Sequence, residues 1–304
     1  MPQRKKMRSA IALMITLFFV MALSVSIGLG LKYVKEGAKS VNNEQFLIQT
    51  RSFLADFLTM LRKAPQVANI NSADTLSLFL SEASFIPLSS GDTSVIIKIG
   101  SARDKISPEI FNTKKKRTAF LSFLSRKGVN IEYLNILDDI MGGIKADGSY
   151  KSDIFTNRPT LFRDYIASKE QLEEADAFYT ETFHEQSLKN IKPTELFYTS
   201  AESNATNYKM DLNYVKPLVW ELLLGCDKQR AEDLSANAGY YAKIEDLGLN
   251  RDEKLALLRF HQNISYYQPF IRVEITIIKD DAKAMITFEY NLESKKGSNF
   301  VMEV

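Results

Sequence analysis

The chain has 304 residues, 45% hydrophobic and 25% charged, enough to bury a full core as one large domain or two smaller ones. Its 39 Lys and Arg balance 37 Asp and Glu to a formal charge of +2, so no whole-chain field draws it to nucleic acid or to an acidic surface. The single cysteine, Cys226, excludes an internal disulfide, and the two histidines, His184 and His261, are too few and too isolated for a zinc site or a His-based triad.

The first predicted element is a membrane helix. Arg4, Lys5, Lys6 and Arg8 precede residues 11–31, which carry no charge. At about 1.5 Å per residue that run is roughly 31 Å long, the hydrocarbon thickness of a bilayer. The basic cluster places the start in the cytoplasm and the rest outside, against a weaker opposing vote from Lys32, Lys35 and Lys39. Three readings compete. A secretory signal peptide has small-x-small sites at Ala22-Leu23-Ser24 and Ser24-Val25-Ser26. A signal anchor keeps everything. A prepilin-type leader is cut by a prepilin peptidase between Ala10 and Ile11, on the cytoplasmic side, and keeps the helix.

Beyond the span, residues 32–62 hold no Pro and only Gly37, and Phe46, Phe53, Leu54, Phe57, Leu58 and Leu61 recur at helical spacing until Pro65. This predicts one continuous helix of about 50 residues, well beyond the usual globular length. The competing reading is a membrane helix followed by a separate amphipathic one.

Residues 94–99 read as a lone strand after a turn at Ser89, Ser90, Gly91 and Asp92. Little β pattern follows until residues 270–277, where Val273, Ile275 and Ile277 alternate with Arg272, Glu274 and Thr276. A turn at Asp280, Asp281, Ala282 and Lys283 leads to a return strand with Ala284, Ile286, Phe288, Tyr290 and Leu292 on one face. A lone strand is not stable, so it is expected to pair with the distant hairpin and to pack on the N-terminal helix. The stretch between is helical in pattern at 118–125, 131–140, 168–179, 216–224, 228–238 and 251–263. The expected divisions are a cytoplasmic leader (1–10), a transmembrane helix (11–31), a pilin-like helix and first strand (32–102), an inserted helical domain (103–266) and a closing β-hairpin (267–304). The fold class is α+β: a long N-terminal transmembrane and amphipathic helix on a small antiparallel sheet, with a large all-α domain inserted between strands.

At Met210-Asp211-Leu212-Asn213-Tyr214-Val215-Lys216-Pro217, followed by Val219-Trp220-Glu221-Leu222-Leu223, the chain resembles the K-type minor pseudopilins of type II secretion systems. That family shows Ile-x-x-Asn, small residues, Pro and an apolar helix, so Asn213 and Pro217 stand at a family-like helix start. Also similar are the stretch from Phe162 through Ser168-Lys169-Glu170-Gln171-Leu172, the segment Tyr241-Ala242-Lys243-Ile244-Glu245-Asp246-Leu247 and the closing hairpin. The resemblance covers almost the whole chain at loose identity. It implies a minor pseudopilin at the tip of a pseudopilus, initiating or capping its assembly for protein export. It also implies a single-pass protein of the inner membrane with a periplasmic C-terminal domain, partnered by other minor pseudopilins and not an enzyme.

The leader bears on this. Most pilin-like chains carry Glu five residues into the mature helix, where Ile15 stands here. A carboxylate at that depth costs roughly 2.5–3.5 kcal/mol unless a neighbour neutralises it, and a tip subunit lacks one such neighbour. Ala10 departs from the family's Gly before the cut. The resemblance further implies calcium in an Asp-rich loop, for which Asp138, Asp139, Asp147 and Asp153 could supply hard oxygens. The loop lacks the family's Trp-Ile-Asp, its spacing matches no EF-hand, and a solvated acidic loop is the competing reading.

Two other functions are set against this one. A single-span periplasmic binding or sensor module would be expected to connect to a cytoplasmic output domain, and ten residues precede the span. A helix-hairpin-helix DNA-binding protein would use Gly225-Cys226-Asp227-Lys228-Gln229 as its hairpin, which lacks the second Gly and places an acid where phosphate would lie; no nucleic acid is expected. Cys226 reads as a buried packing thiol. The run Lys114-Lys115-Lys116-Arg117 could touch lipid head groups or a partner, with a solvated run as the default, and Asn204 in Asn-Ala-Thr fits a glycosylation acceptor.

Overall fold

The computed structural model describes residues 42–200, 208–237, 239–279 and 282–304. Ala10, Ile11, Ile15, the 11–31 span and Asn204 lie outside the described residues, and none of the described helices is long and apolar enough to cross a membrane. The chain has two compact units, Met1–Ala102 with Pro269–Val304, and Arg103–Gln268.

In the first unit, α1 (Asn42–Lys63) buries Phe46, Thr50, Phe53, Phe57, Met60 and Leu61, a stripe at intervals of three and four. It stops at Lys63, and Pro65 opens the four-residue α2 (Pro65–Ala68), a first-turn position where its missing N–H costs nothing. The next helix, α3 (Ala73–Ala83), is fixed by a capping box between Ser72 and Thr75.

The sheet has five antiparallel strands in the order β1-β2-β5-β6-β7: β1 (Phe85–Ser90), β2 (Thr93–Ser101), β5 (Phe270–Lys279), β6 (Ala282–Asn291) and β7 (Lys296–Glu303). The strand read as lone is thus the second arm of a hairpin. Ser89 and Ser90 belong to β1, and the turn is Gly91-Asp92 alone, with Gly91 at φ +56° supplying the left-handed conformation that a two-residue turn requires. Ala282 and Lys283 likewise belong to β6. Within the second hairpin, Val273 faces Phe288, Ile275 faces Ile286 and Ile277 faces Ala284, and all six are buried. Phe57 of α1 meets Phe288 edge to face, with centroids 6.3 Å apart. On the less buried face Lys98 stands opposite Glu274 and Arg272 opposite Glu289, opposite-charge pairs that favour this register.

The second unit is helical around one apolar core. Its main helices are α4 (Lys114–Arg126), α5 (Glu132–Met141), α7 (Lys169–Phe183), α9 (Pro217–Leu224), α10 (Lys228–Ala236) and α11 (Arg251–Leu258). Two short helices, α6 (Ile154–Asn157) and α8 (Pro193–Leu196), lie between α5 and α9. The central helix is α9: Val219, Trp220, Leu222, Leu223 and Leu224 are all buried, and its one charged residue, Glu221, is buried against Lys127 at 2.6 Å. Phe120 stacks on Phe111 at 4.3 Å and meets Phe197 edge-on at 5.8 Å. The basic run opens α4 instead of preceding it. Lys116 is buried and donates to Asn263 Oδ1 at 2.6 Å, and Arg117 pairs with Asp138 at 2.6 Å, so half of the run is spent inside the unit. A two-residue parallel ladder, β3 (Met210–Asp211) with β4 (Ile264–Ser265), completes it.

Candidate functional site

The acidic loop begins on α5. Tyr133, Leu134, Ile136, Leu137 and Ile140 form the buried face of this helix, and Asp139 falls on the same face with no exposed surface. An ionised carboxylate there requires donors, and the loop supplies them. Its Oδ1 accepts from the Lys151 backbone N–H at 2.9 Å, and its Oδ2 accepts from the Ser152 N–H at 2.6 Å and hydroxyl at 2.7 Å, with Lys145 Nζ 3.5 Å from Oδ1. Asp138 faces other partners, a two-pronged Arg117 guanidinium at 2.9 and 2.6 Å and the Lys151 ammonium at 2.6 Å. Burial works against its charge, but the bonds from Arg117 and Lys151 outweigh burial and hold Asp138 below the usual carboxylate range. Tyr150 pins the far side: its hydroxyl oxygen accepts from Lys145 N–H at 3.0 Å and from Arg163 at 2.9 Å.

Asp147 accepts from the Ser149 N–H and hydroxyl at 3.1 and 2.8 Å, and Asp153 sits exposed before α6 without a side-chain cap bond. Of the four aspartates offered for calcium, Asp138 and Asp139 are thus held by protein donors, with Lys151 serving both, Asp147 is held by Ser149, and Asp153 stands apart at the start of α6. Among the described residues no three His, Cys, Asp or Glu side chains are grouped to hold a metal ion. The donor set does not fit calcium: the protein's own ammonium, guanidinium, hydroxyl and N–H groups occupy both oxygens of Asp138 and of Asp139 and one of Asp147, and so take up the ligands an ion would need.

The Asn213–Pro217 segment is a second cluster. Pro217 is the first residue of α9, but Lys216 is its N-cap, so Asn213 does not cap this helix. Asn213 is instead a fully bonded buried amide. Its nitrogen donates to Tyr241 O at 2.9 Å and Tyr266 O at 2.7 Å, and its oxygen accepts from Gly239 N–H at 3.1 Å and Tyr241 N–H at 2.8 Å. Its own N–H donates to Asp211 Oδ1 at 3.1 Å. Burial pushes the Asp211 carboxyl up to about 6, against the pull of the N–H groups of Asn213 and Gln268. Sequence reading missed this hub, because the partners of the Asn213 side chain lie 26 to 53 residues away.

The nucleic-acid reading rested on the turn after α9. Gly225 closes that helix at φ +73°, and the Asp227 carboxylate caps α10 by accepting from Arg230 N–H at 2.9 Å. A carboxylate already holds the position a phosphate needs. Cys226 lies against the Trp220 carbonyl at 3.8 Å, and burial, followed by the charge of Glu253, pushes its thiol up to about 11, which leaves it un-ionised and unreactive at neutral pH. His184 ends α7 at φ +53°, and His261 Nδ1 lies 3.0 Å from Leu258 O, so each serves its own helix end.

No protein-family model matches the sequence, and no curated protein matches it. The fold, however, is similar to a chain in the crystal structure of the GspK-GspI-GspJ complex from the enterotoxigenic Escherichia coli type 2 secretion system. The TM-score is 0.60 and identity 9%, over 86% of this chain and 98% of that one. At that identity the likeness is one of fold: an α+β chain with an antiparallel sheet and many helices.

Proposed function

We propose that this protein is a minor pseudopilin of a type II secretion system, a non-catalytic subunit at the pseudopilus tip that initiates or caps assembly for protein export. The observation that carries the reading is the fold likeness, which extends over 86% of the chain and so embraces both the sheet and the helical unit. The neighbouring structure contains GspI and GspJ, which supports sister minor pseudopilins as partners. Residues 11–31 anchor the chain in the inner membrane, the described residues stand in the periplasm, and Ile15 in place of the usual acid suits a tip position. Residues 103–266 form an insertion in the pilin-like sheet, a bulky head suited to a tip. The work is associative: the N-terminal helix packs among sister helices, and the head docks neighbours.

N-terminal sequencing of the mature chain tests this. A start at Ile11, after cleavage by a prepilin peptidase, is the expected result. A start after Ser24 or Ser26 leaves a soluble periplasmic protein and sinks the pilus reading. An intact Met1 leaves a signal anchor and removes the tip argument.

A further inference from the structure

We infer that a groove between α4 and the end of α9 docks an acidic peptide segment of a partner protein, one that carries a large apolar side chain between its acids. The groove encloses about 650 Å³, within the range of built ligand pockets. Lys114, Lys115, Arg126 and Arg259 line it, and no carboxylate does. Ala119, Leu222 and Leu224 contribute to a largely apolar lining. The other half of the basic run is committed within the unit, Lys116 to Asn263 and Arg117 to Asp138. Lys114, Lys115 and Arg259 make no ion pair with any described residue. Lys114 and Lys115 also sit in the first turn of α4, which has no acid and no side-chain cap, so they add to the positive end of the helix dipole. An anion in the groove is drawn by the cations and by that dipole together.

The apolar lining narrows the ligand further. A bare anion leaves the largely apolar lining of the groove unmatched, whereas a chain alternating acid and apolar residues satisfies the charged and the apolar parts together. A bilayer is flat and would meet only the rim of a concave site. The inference goes beyond the secretion role and stands on this groove alone.

The test uses the full chain in mild detergent and a fluorescein-labelled peptide, Glu-Leu-Glu-Glu-Leu-Glu, followed by anisotropy at low salt. Controls replace its Glu by Gln or its Leu by Ser, and soluble dihexanoyl phosphatidylglycerol serves as the lipid probe. The acidic peptide is expected to bind with a Kd on the order of 0.1 mM. Both control peptides and the double variant Lys115→Glu with Arg259→Glu should bind at least about tenfold more weakly, because reversal turns attraction into repulsion. Ser122→Trp, which fills the groove without changing charge, should block binding as well. Failure of the acidic peptide to bind, equal binding by the Gln control, or indifference to the variants overturns the proposal. So does groove-dependent binding of the lipid in place of the peptide. The substituted residues are exposed, and an unchanged circular dichroism spectrum shows that the fold persists.

Discussion

The Asp211 carboxylate accepts a hydrogen bond from the Gln268 N–H at 2.9 Å, across 57 residues of chain. The Asp211 N–H donates in turn to Arg103 O at 2.9 Å. Arg103 and Gln268 are the first and last residues of the helical unit, so a single residue fastens its entry to its exit.

Asn213, two residues on, holds that clasp in place. Asn213→Ala removes four side-chain bonds and strands buried backbone groups of Gly239, Tyr241 and Tyr266. The expected loss is about 3–5 kcal/mol, read by urea denaturation from the fluorescence of the only tryptophan, Trp220. A loss below about 1 kcal/mol would mean that water replaces the amide.

Two buried acids set a pH dependence. Burial pushes Asp176, which accepts from the Tyr133 hydroxyl at 2.7 Å, up to about 7, and Asp211 up to about 6, from an ordinary 3.8. Between pH 4 and 7 the native state therefore holds protons that the unfolded chain has released. Their contribution to stability is full below about pH 4 and is lost as pH rises through 6 and 7. Asp176→Asn keeps an acceptor for Tyr133 and cannot ionise, so it should gain on the wild type steadily as pH rises. A stability difference that stays flat from pH 4 to 8 would contradict this.

The acidic loop should behave as a clasp made of protein groups. Asp139→Ala leaves the Lys151 and Ser152 N–H groups without their carboxylate and is expected to cost about 3 kcal/mol. Adding calcium or a chelator should leave the melting temperature of the wild type unchanged. A calcium-dependent rise would show that the loop can rearrange around an ion.

Phe300 stacks on Phe288 at 5.2 Å and lies across Gly297, where an added Cβ would come 2.5 Å from the ring. Gly297→Ala must displace the ring and should cost about 1–3 kcal/mol. The double variant with Phe300→Ala should lose less than the sum of the two single losses, which a double-mutant cycle of thermal melts can measure.

The β5–β6 hairpin was legible because alternation over ten residues writes a buried face directly into sequence. The edge strands were not. β1 reads Phe-Ile-Pro-Leu-Ser-Ser, with Pro87 breaking the pattern, yet a proline is tolerated on an edge where its missing N–H has no partner to lose. β7 opens on Lys296-Gly297-Ser298-Asn299 and owes its extended form to pairing with β6, not to propensity. The aspartates were found as a cluster, but their roles were not. Asp139 does carry a signal, since it sits three residues after Ile136 and so on the apolar stripe of α5. Nothing in sequence revealed that Lys145, Lys151 and Arg117 would claim the carboxylates, because that depends on how the loop folds back.

The clasp at Asp211 also bears on the order of events in folding. Strands β2 and β5 pair across the whole of residues 103–268, and joining the ends of a flexible loop that long costs about 4–5 kcal/mol of chain entropy. Once Asp211 has drawn Arg103 and Gln268 together, the sheet meets that long stretch as if it were a short turn. The helical unit is therefore expected to acquire amide protection first, with the β2–β5 amides following, in pulse-labelled hydrogen exchange.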